Sequence, residues 1–456
     1  MAVGSRVHVR SQRRGRTIAG GAMNRRDFLR LGGAGLAGVG LLGAAACGGG
    51  GGGQASGELR WSMWSGTPEE TAIWKELAKD VNQANPNITL KLETTTFEDY
   101  WNKLSTQLAS ENEADVVAMQ SLRMPGFAAR GALQPLQPFI DDDADFDVED
   151  FFEPIRTGLS SDGEIYAFGY DIGPIILYYN KTLFDDAGVP TPSPTEPMSW
   201  DEFRQAATEL TGGDHYGYVQ QPVFDFIVPW LWSGGGDYMN ADQTECTLDS
   251  PESMEAIEFV VSMFTEDKIA APITDLANPN FGVEEFYGGN IGMHVDGPWQ
   301  FVNIGTNSDF EWGIAPVPSG PAGSVTWAAG SGFGISNSTS NPEAAWEALK
   351  TLTSTASLKK TAKAGRGYPA RESAVPAFEN TDSPPPNKDL VQAILKGETG
   401  EARAFETTTT WQEITVMLTR DFNPVFLGRQ SVQETIDKVK PEFDRLLQEH
   451  QEILDR

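Results

Sequence analysis

The chain has 456 residues, 64 of them acidic against 34 basic, and a formal net charge of −30. That balance argues against nucleic acid or an anionic lipid surface as a partner and favours solubility. Two cysteines supply no disulfide framework, and four scattered histidines, His8, His215, His294 and His450, form no zinc-ligand pattern.

In chain order, the first signal is Asn24-Arg25-Arg26-Asp27-Phe28-Leu29-Arg30, then a Gly/Ala-rich apolar run to Ala46, then Cys47. Paired arginines, a short apolar stretch and small residues before a cysteine make an export signal with a lipid-attachment site at Cys47. The order resembles a bacterial twin-arginine lipoprotein signal. The run from Leu31 to Ala46 falls short of the roughly 20 apolar residues that span a bilayer. Residues 1–46 hold eight arginines against one acid (+7), which leaves −37 on the remainder. Residues 47–57 read as the lipidated cysteine and a glycine-rich tether, which reaches at most about 35 Å. The expected location is extracytoplasmic, on the outer face of the cell membrane. Two glycine patterns in the leader fit a dinucleotide fingerprint, but they follow no strand and lie in the segment to be removed.

About 400 residues follow Cys47, too many for one compact core, so two lobes are expected. Leu59 to Met63 reads as a strand. Pro68 opens a helix with Ile73, Trp74, Leu77 and Val81 on one face. Ile88 to Leu92 alternates as a strand, Trp101, Leu104 and Leu108 mark a second helix, and Val116 to Met119 a buried strand. This β-α-β-α-β rhythm is that of a parallel-type sheet with helices on its faces. Tyr166 to Tyr179 is strand-rich. Ser199-Trp200-Asp201-Glu202 is a capping box, and helices start at Ser250-Pro251 and Asn341-Pro342. Pro190–Pro197 and Ser383–Pro386 read as loops. The acidic run Asp141–Asp147 has Phe152 where a calcium loop needs a bidentate Glu, so it reads as a solvated turn.

Six blocks occur together and in order. They are Asp115–Met119 with Gly126–Leu133, then Tyr178–Phe184 with Gly188-Val189-Pro190 and Ser199–Phe203. Leu231–Asp237, Gly289–Trp299, Asn341–Trp346 and Gly367–Arg371 follow. Together they resemble the sugar-binding subunits of bacterial ABC importers, the extracellular solute-binding family 1, maltose-binding-protein-like. The resemblance covers nearly all of 58–440. It implies an α/β, periplasmic-binding-protein-like fold: two α/β lobes with a hinge and a ligand cleft between them. By the same resemblance, lobe 1 comprises 58–170 plus 314–355, and lobe 2 comprises 171–313 plus 356–456.

A sugar presents hydroxyls at its edge and apolar C–H patches on its faces, so its site needs polar groups and aromatic rings. Trp299, in Gly297-Pro298-Trp299, is where the family places a stacking tryptophan. Trp64 with Ser65, Trp232 before a glycine run ending at Asp237, and Trp327 before Gly330-Ser331-Gly332 sit beside glycine-rich turns. Trp74, Trp101, Trp200 and Trp346 lie on helical faces and read as core. For the sugar edge, the candidates are Asp171 at the crossing between lobes, and Gln120 and Ser121 after the strand ending at Met119. Arg366 with Tyr368 stacking beside it, and Arg403, complete the set.

The leading expectation is a monomeric, lipid-anchored receptor that uses no cofactor, captures a di- or oligosaccharide and delivers it to the permease subunits and their ATPase. A secreted glycoside hydrolase is the rival, but no spacing singles out a pair of carboxylates facing one bond, and no G-x-S-x-G supports a serine hydrolase. The same fold binding a polyamine or a glycerophosphodiester is the third reading, the latter drawing on Arg366.

Overall fold

The structure is a computed structural model and describes residues 56–65, 68–221, 223–274, 278, 280–379, 385 and 387–455. The export signal, Cys47 and all of the tether before Ser56 lie outside the described residues. Among these residues no helix is long and apolar enough to cross a membrane.

Strand β1 (Gly57–Trp64) leads through α1 (Pro68–Ala84) to β2 (Ile88–Thr95), then through α2 (Phe97–Ala109) to β3 (Val116–Gln120). Trp74, Leu77 and Val81 are buried on the inward face of α1, as their spacing requires. Thr96 caps α2 by accepting the Asp99 N–H. After β3 comes the short α3 (Met124–Ala129), and then β4 (Ala167–Gly169). β1 pairs in parallel with both β2 and β3.

The chain then leaves this sheet. β5 (Gly173–Pro174) and β6 (Ile176–Asn180) are followed by α4 (Trp200–Leu210), β7 (Tyr216–Val219), α5 (Val228–Gly234) and α6 (Pro251–Thr265). Ser199 and Glu202 form the capping box with both reciprocal bonds present. β8 (Ile291–Asp296) and β9 (Trp312–Ala315) complete a four-stranded sheet of order β9-β6-β8-β7. β10 (Val325–Ala329) lies between β5 and the later β12 in a third, three-stranded sheet.

β11 (Ser331–Ile335) returns to the first sheet, whose order is β2-β1-β3-β11-β4, running antiparallel to β3 and β4. Then come α7 (Pro342–Leu352), α8 (Thr355–Lys363), β12 (Glu401–Ala404), α9 (Trp411–Phe426) and α10 (Val432–Leu454). The two α/β bodies are therefore built from interleaved pieces of chain.

Ile314 and Ala315 pair with Tyr178 and Leu177 in the second sheet. Helix α8 stays with the first sheet, where Lys360 pairs with Asp80 (2.6 Å) and Glu76 (3.3 Å) of α1. For Trp74, Trp200 and Trp346 the expected packing against the core is observed. Trp74 packs edge-on against Trp61 and Phe333, Trp200 stacks on Phe259, and Trp346 packs on Phe139 and Phe146.

Candidate functional site

Parallel and mixed sheets leave their strand ends free for binding loops. β8 ends at Asp296, whose buried Oδ1 accepts the Gly297 N–H (2.7 Å) and whose Oδ2 accepts from Gln221 (3.0 Å). This fixes the turn Gly297-Pro298-Trp299. The Trp299 ring folds back over Gly297, where any side chain would overlap the indole. Trp299 is half-buried and lies nearly parallel to Trp327 on β10, 6.1 Å between centroids at 19°. Trp327 in turn stacks on Phe405 (5.2 Å, 15°) and donates its indole N–H to the Asp225 carbonyl (2.8 Å). Phe405 meets Trp411 edge-on at 5.4 Å.

On the opposite wall, Phe97 and Trp101 occupy one face of α2, and the Arg123 guanidinium lies 4.6 Å from the Trp101 ring. Arg123 also donates to Gln412 at the start of α9. A cavity of about 1160 Å³ is lined by Phe97, Trp101, Arg123, Thr408, Trp411 and Gln412, among others; Trp411 links it to the stack, whose Trp299, Trp327 and Phe405 do not line it. A second cavity, about 590 Å³, is lined by Ser121, Arg156, Phe405, Thr407 and His450, among others. The walls of the two cavities use neighbouring residues, Ser121 and Leu122 on one side, Thr407 and Thr408 on the other. Gly126 approaches the Thr409 carbonyl so closely that a Cβ would sit 3.0 Å from it. His450 holds this threonine run in place: its Nδ1 accepts the Thr409 N–H (3.2 Å), and burial pulls its imidazole below the ordinary value.

The electrostatics centre on Asp225. Burial pushes its carboxyl up to about 6; the Thr415 hydroxyl (2.8 Å) and the nearby Arg123 oppose that rise. Arg123 is itself pulled down by burial, and Asp225 opposes that fall.

The description of bacterial extracellular solute-binding proteins matches residues 65–359 of this chain. The chain belongs to that family. A putative binding protein of Brucella abortus (strain 2308) is 24% identical over 410 residues, 86% of this chain and 94% of that protein. An arabinooligosaccharide-binding protein of Halalkalibacterium halodurans is 25% identical over 301 residues, 63% of this chain and 65% of that protein. Among solved structures, the ABC substrate-binding protein Lmo0181 from Listeria monocytogenes in complex with cycloalternan superposes with a TM-score of 0.77. It is 24% identical, and the match covers 85% of this chain and 98% of that one. The periplasmic-binding-protein-like α/β fold is thereby shown.

Within this solute-binding protein, the residues expected at the site divide into three groups. Trp299 and Trp327 come together in the stack, and Ser121 lines the smaller cavity with half-buried Gln120 beside it at the end of β3. Trp64 is buried behind the larger cavity, packed on Phe97, Tyr100 and Trp101, and its neighbour Ser65 pairs with the Thr71 hydroxyl (2.7 Å).

A second group is engaged elsewhere. Trp232 donates to Asp237 (2.9 Å), which also accepts the Tyr238 N–H, and Arg403 pairs with Glu401 (2.7 Å) above the Trp232 ring. These three form a self-satisfied layer behind Phe405. Tyr368 does not stack beside Arg366. It is buried between Phe152 and Phe378, because its strand-like segment turns it into the core. Gly332 sits mid-strand between Met119 and Gly169, and the close approach that requires glycine is to the Phe168 carbonyl, not to a ligand.

The third group is Asp171 with Arg366. Asp171 Oδ1 accepts the Ser331 N–H (2.7 Å) and Oδ2 faces Arg366 (3.5 Å), so both oxygens are already engaged. Sequence reasoning missed Arg123, Phe405, Trp411 and Asp225, and assigned Trp101 to the core alone. Phe97 and Trp101, four apart on α2, were the one legible sign of an aromatic wall. Phe405 and Trp411 flank a threonine run that carries no recognisable pattern.

Proposed function

We propose that this solute-binding protein captures an oligosaccharide in the cleft between its two α/β bodies and delivers it, unchanged, to the permease of an ABC importer. The observation that carries this reading is the pairing of an aromatic stack with a large polar-edged cavity. Trp299 offers an accessible ring face, backed by Trp327 and Phe405. The space of about 1160 Å³ beside Trp101 and Trp411 exceeds the roughly 300–1,000 Å³ of a typical small-molecule pocket, which favours a chain of sugars over a single ring. Arg123 and Gln412 supply polar atoms at its wall. The indole N–H groups of Trp101 and Trp411 are buried at this wall with no partner among the described residues.

The named ligands of two similar proteins, arabinooligosaccharides and cycloalternan, are consistent with that chemistry. The phosphodiester alternative drew on Arg366, whose guanidinium is engaged by Glu70, Asp171 and Tyr170. One lobe comprises 57–169 with 331–374, where Arg371 and Ser373 bond to Asp150, and the other comprises 173–329 with 387–455, where Asn387 bonds to the Ile314 carbonyl. Cys47 carries the lipid that holds the monomeric body at the outer membrane face.

Titration calorimetry against a panel of arabino-, malto- and cyclic oligosaccharides tests the reading. One site per chain, with the sugar recovered intact by mass spectrometry, is the expected result. Catalytic release of shorter sugars, or no binding across the panel, overturns it.

A further inference from the structure

The turn that carries Trp299 hangs from buried side chains at its first residue. Gly297 opens the 3₁₀ turn Pro298–Gln300. Its N–H donates to Asp296 Oδ1 (2.7 Å), and its carbonyl accepts the Tyr178 hydroxyl (2.7 Å). Tyr178 and Asp296 are both fully buried. The second carboxylate oxygen, Asp296 Oδ2, gathers three side chains: Gln221 (3.0 Å), His294 (3.3 Å) and Gln300 (3.3 Å). Burying a carboxylate is costly unless hydrogen bonds and a positive group compensate it. Of the three partners, His294 alone can carry a positive charge.

His294 lies two residues before Asp296 on β8, so the two side chains project from the same face of the strand. It is wholly buried and lines neither of the two cavities. Its Nδ1 is 3.2 Å from the Val219 carbonyl oxygen of β7, and its Nε2 is 3.3 Å from Asp296 Oδ2. Both of these oxygens are acceptors, so the ring serves the pair as a double donor. The seat is tight. Phe286 stacks on the imidazole at 5.9 Å and 29°, and Tyr178 lies 6.5 Å away. A Cβ at Gly282 would come within 2.8 Å of His294 Cε1, while the Gly282 N–H donates to Gln221 Oε1 (2.9 Å). Packing alone would not require a ring with a nitrogen aimed at an acceptor on each side.

We propose that His294 is a positioning residue for ligand recognition: through Asp296 it sets the turn Gly297-Pro298-Trp299, and with it the plane that Trp299 offers to a sugar. The proposal rests on the reading that Trp299 carries the sugar. The route is short. It runs from His294 Nε2 to Asp296 Oδ2, from Asp296 Oδ1 to the Gly297 N–H, and from Gly297 to the indole folded back over it. Stacking on Trp327 sets the tilt of the ring, but stacked rings slide over one another at little cost. The turn fixes where along Trp327 the ring lies. Without His294, Asp296 loses its one cationic partner. A carboxylate so buried then turns or takes up a proton, and either change disturbs the acceptor that holds Gly297.

Two measurements on the full chain test this. The first needs no sugar. Fluorine-labelled tryptophan is incorporated, and the fluorine NMR line of Trp299 is assigned by its loss in Trp299→Phe. His294→Asn keeps an amide near Nδ1, facing Val219, whereas His294→Gln keeps one near Nε2, facing Asp296. Asp296→Asn breaks the same link from the other side by placing an amide among three donors. The Trp299 line should move or split in His294→Asn and in Asp296→Asn, and stay near its wild-type position in His294→Gln. Should His294→Asn fail to fold, the other two variants decide: a line displaced as far in His294→Gln as in Asp296→Asn overturns the proposal. The second measurement is titration calorimetry with cycloalternan and a linear malto-oligosaccharide as probes. Affinity should fall about tenfold or more in His294→Asn, the size of one hydrogen bond to a charged group, and return to within about threefold of wild type in His294→Gln. Combining His294→Asn with Asp296→Asn should lose no more than Asp296→Asn alone, because the two act in series. Additive losses, a Trp299 line that stays in place in His294→Asn, or equal behaviour of the Asn and Gln variants would make His294 a packing residue and overturn the proposal. If the line moves as expected but the wild type binds neither sugar, the positioning of Trp299 stands and the carbohydrate reading falls.

Discussion

Behind the first sheet, Trp346 packs against Phe139, Phe146 and Phe168 with centroids 5.6, 5.0 and 6.2 Å away. Along the cleft, Trp327 packs between Trp299 and Phe405 at comparable distances. Ring chemistry does not separate the two clusters; their borders do. The Trp346 cluster is sealed at its edge by the Asp143–Lys350 pair (2.6 Å), with Asp143 also near the Trp346 N–H (3.3 Å). The cleft cluster ends in a half-buried ring and two cavities. One set of aromatics closes a core, and the other leaves a face for something else to close. The largest expected effect tests the sealed side. Trp346→Ala opens a cavity that neighbours held by a sheet cannot fill, and costs about 3–5 kcal/mol of stability. Chemical denaturation reads the loss, while sugar affinity in the folded fraction stays at the wild-type value.

The bordering carboxylates sharpen the same contrast. Asp143 is held below the usual range, first by its hydrogen bond from Lys350. A depressed acid contributes stability above its unfolded value and loses it as pH falls through its folded value. Asp225, on the cleft side, is pushed by burial up to about 6. Its contribution is therefore present below about 4 and is lost as pH rises through about 6, at most about 3 kcal/mol for a shift of some two units. Denaturant titrations at pH 4, 5, 6 and 7 should show Asp225→Asn lacking this loss. Asp143→Asn should instead lose stability at neutral pH and converge on wild type in acid. Equal profiles for both variants would erase the distinction between the two borders.

The legible parts of this molecule are those where local pattern and tertiary role coincide. The apolar face of α1, the capping box at Ser199 and the Gly297-Pro298-Trp299 turn could all be read because periodicity or turn chemistry fixes them. Tyr368 and the Trp232–Asp237 pair misled for the same reason: a tryptophan or tyrosine beside glycine suits a cleft, yet which way it faces depends on strands far away in sequence. The sheet that β9 joins was hidden because such a strand looks alike whether it pairs in one sheet or the other. Arg123 was hidden because its value comes from Trp101 and Gln412, 22 residues before it and 289 after it.

Next in size is the accessible face itself. Trp299→Ala removes the ring on which a pyranose would lie, and should weaken sugar binding by about 2 kcal/mol or more, the loss typical of an aromatic anchor. Its effect on stability should be smaller than that of Trp346→Ala, because the half-buried ring has less packing to lose. Titration calorimetry and a thermal scan on the same preparation separate the two. Wild-type affinity with a lowered Tm would make Trp299 part of the sealed class.

The smallest expected effect comes from Arg123→Lys. The cation is kept, but the flat guanidinium that lies on Trp101 is replaced by a compact ammonium on a flexible stem. A cation–π contact is worth about 0.5–1 kcal/mol at exposed sites and about 2 kcal/mol when desolvated; the half-buried Arg123 leaves part of that to the lysine ammonium, and the cavity edge retains Gln412, so sugar binding should weaken by only about 1 kcal/mol. The Asp225 field is preserved, so the pH profile of stability should follow wild type. That combination is diagnostic. If Arg123 were merely part of the packed wall, Lys would disturb stability and leave affinity alone. If it touches sugar as a planar donor, affinity falls and the denaturation midpoint does not.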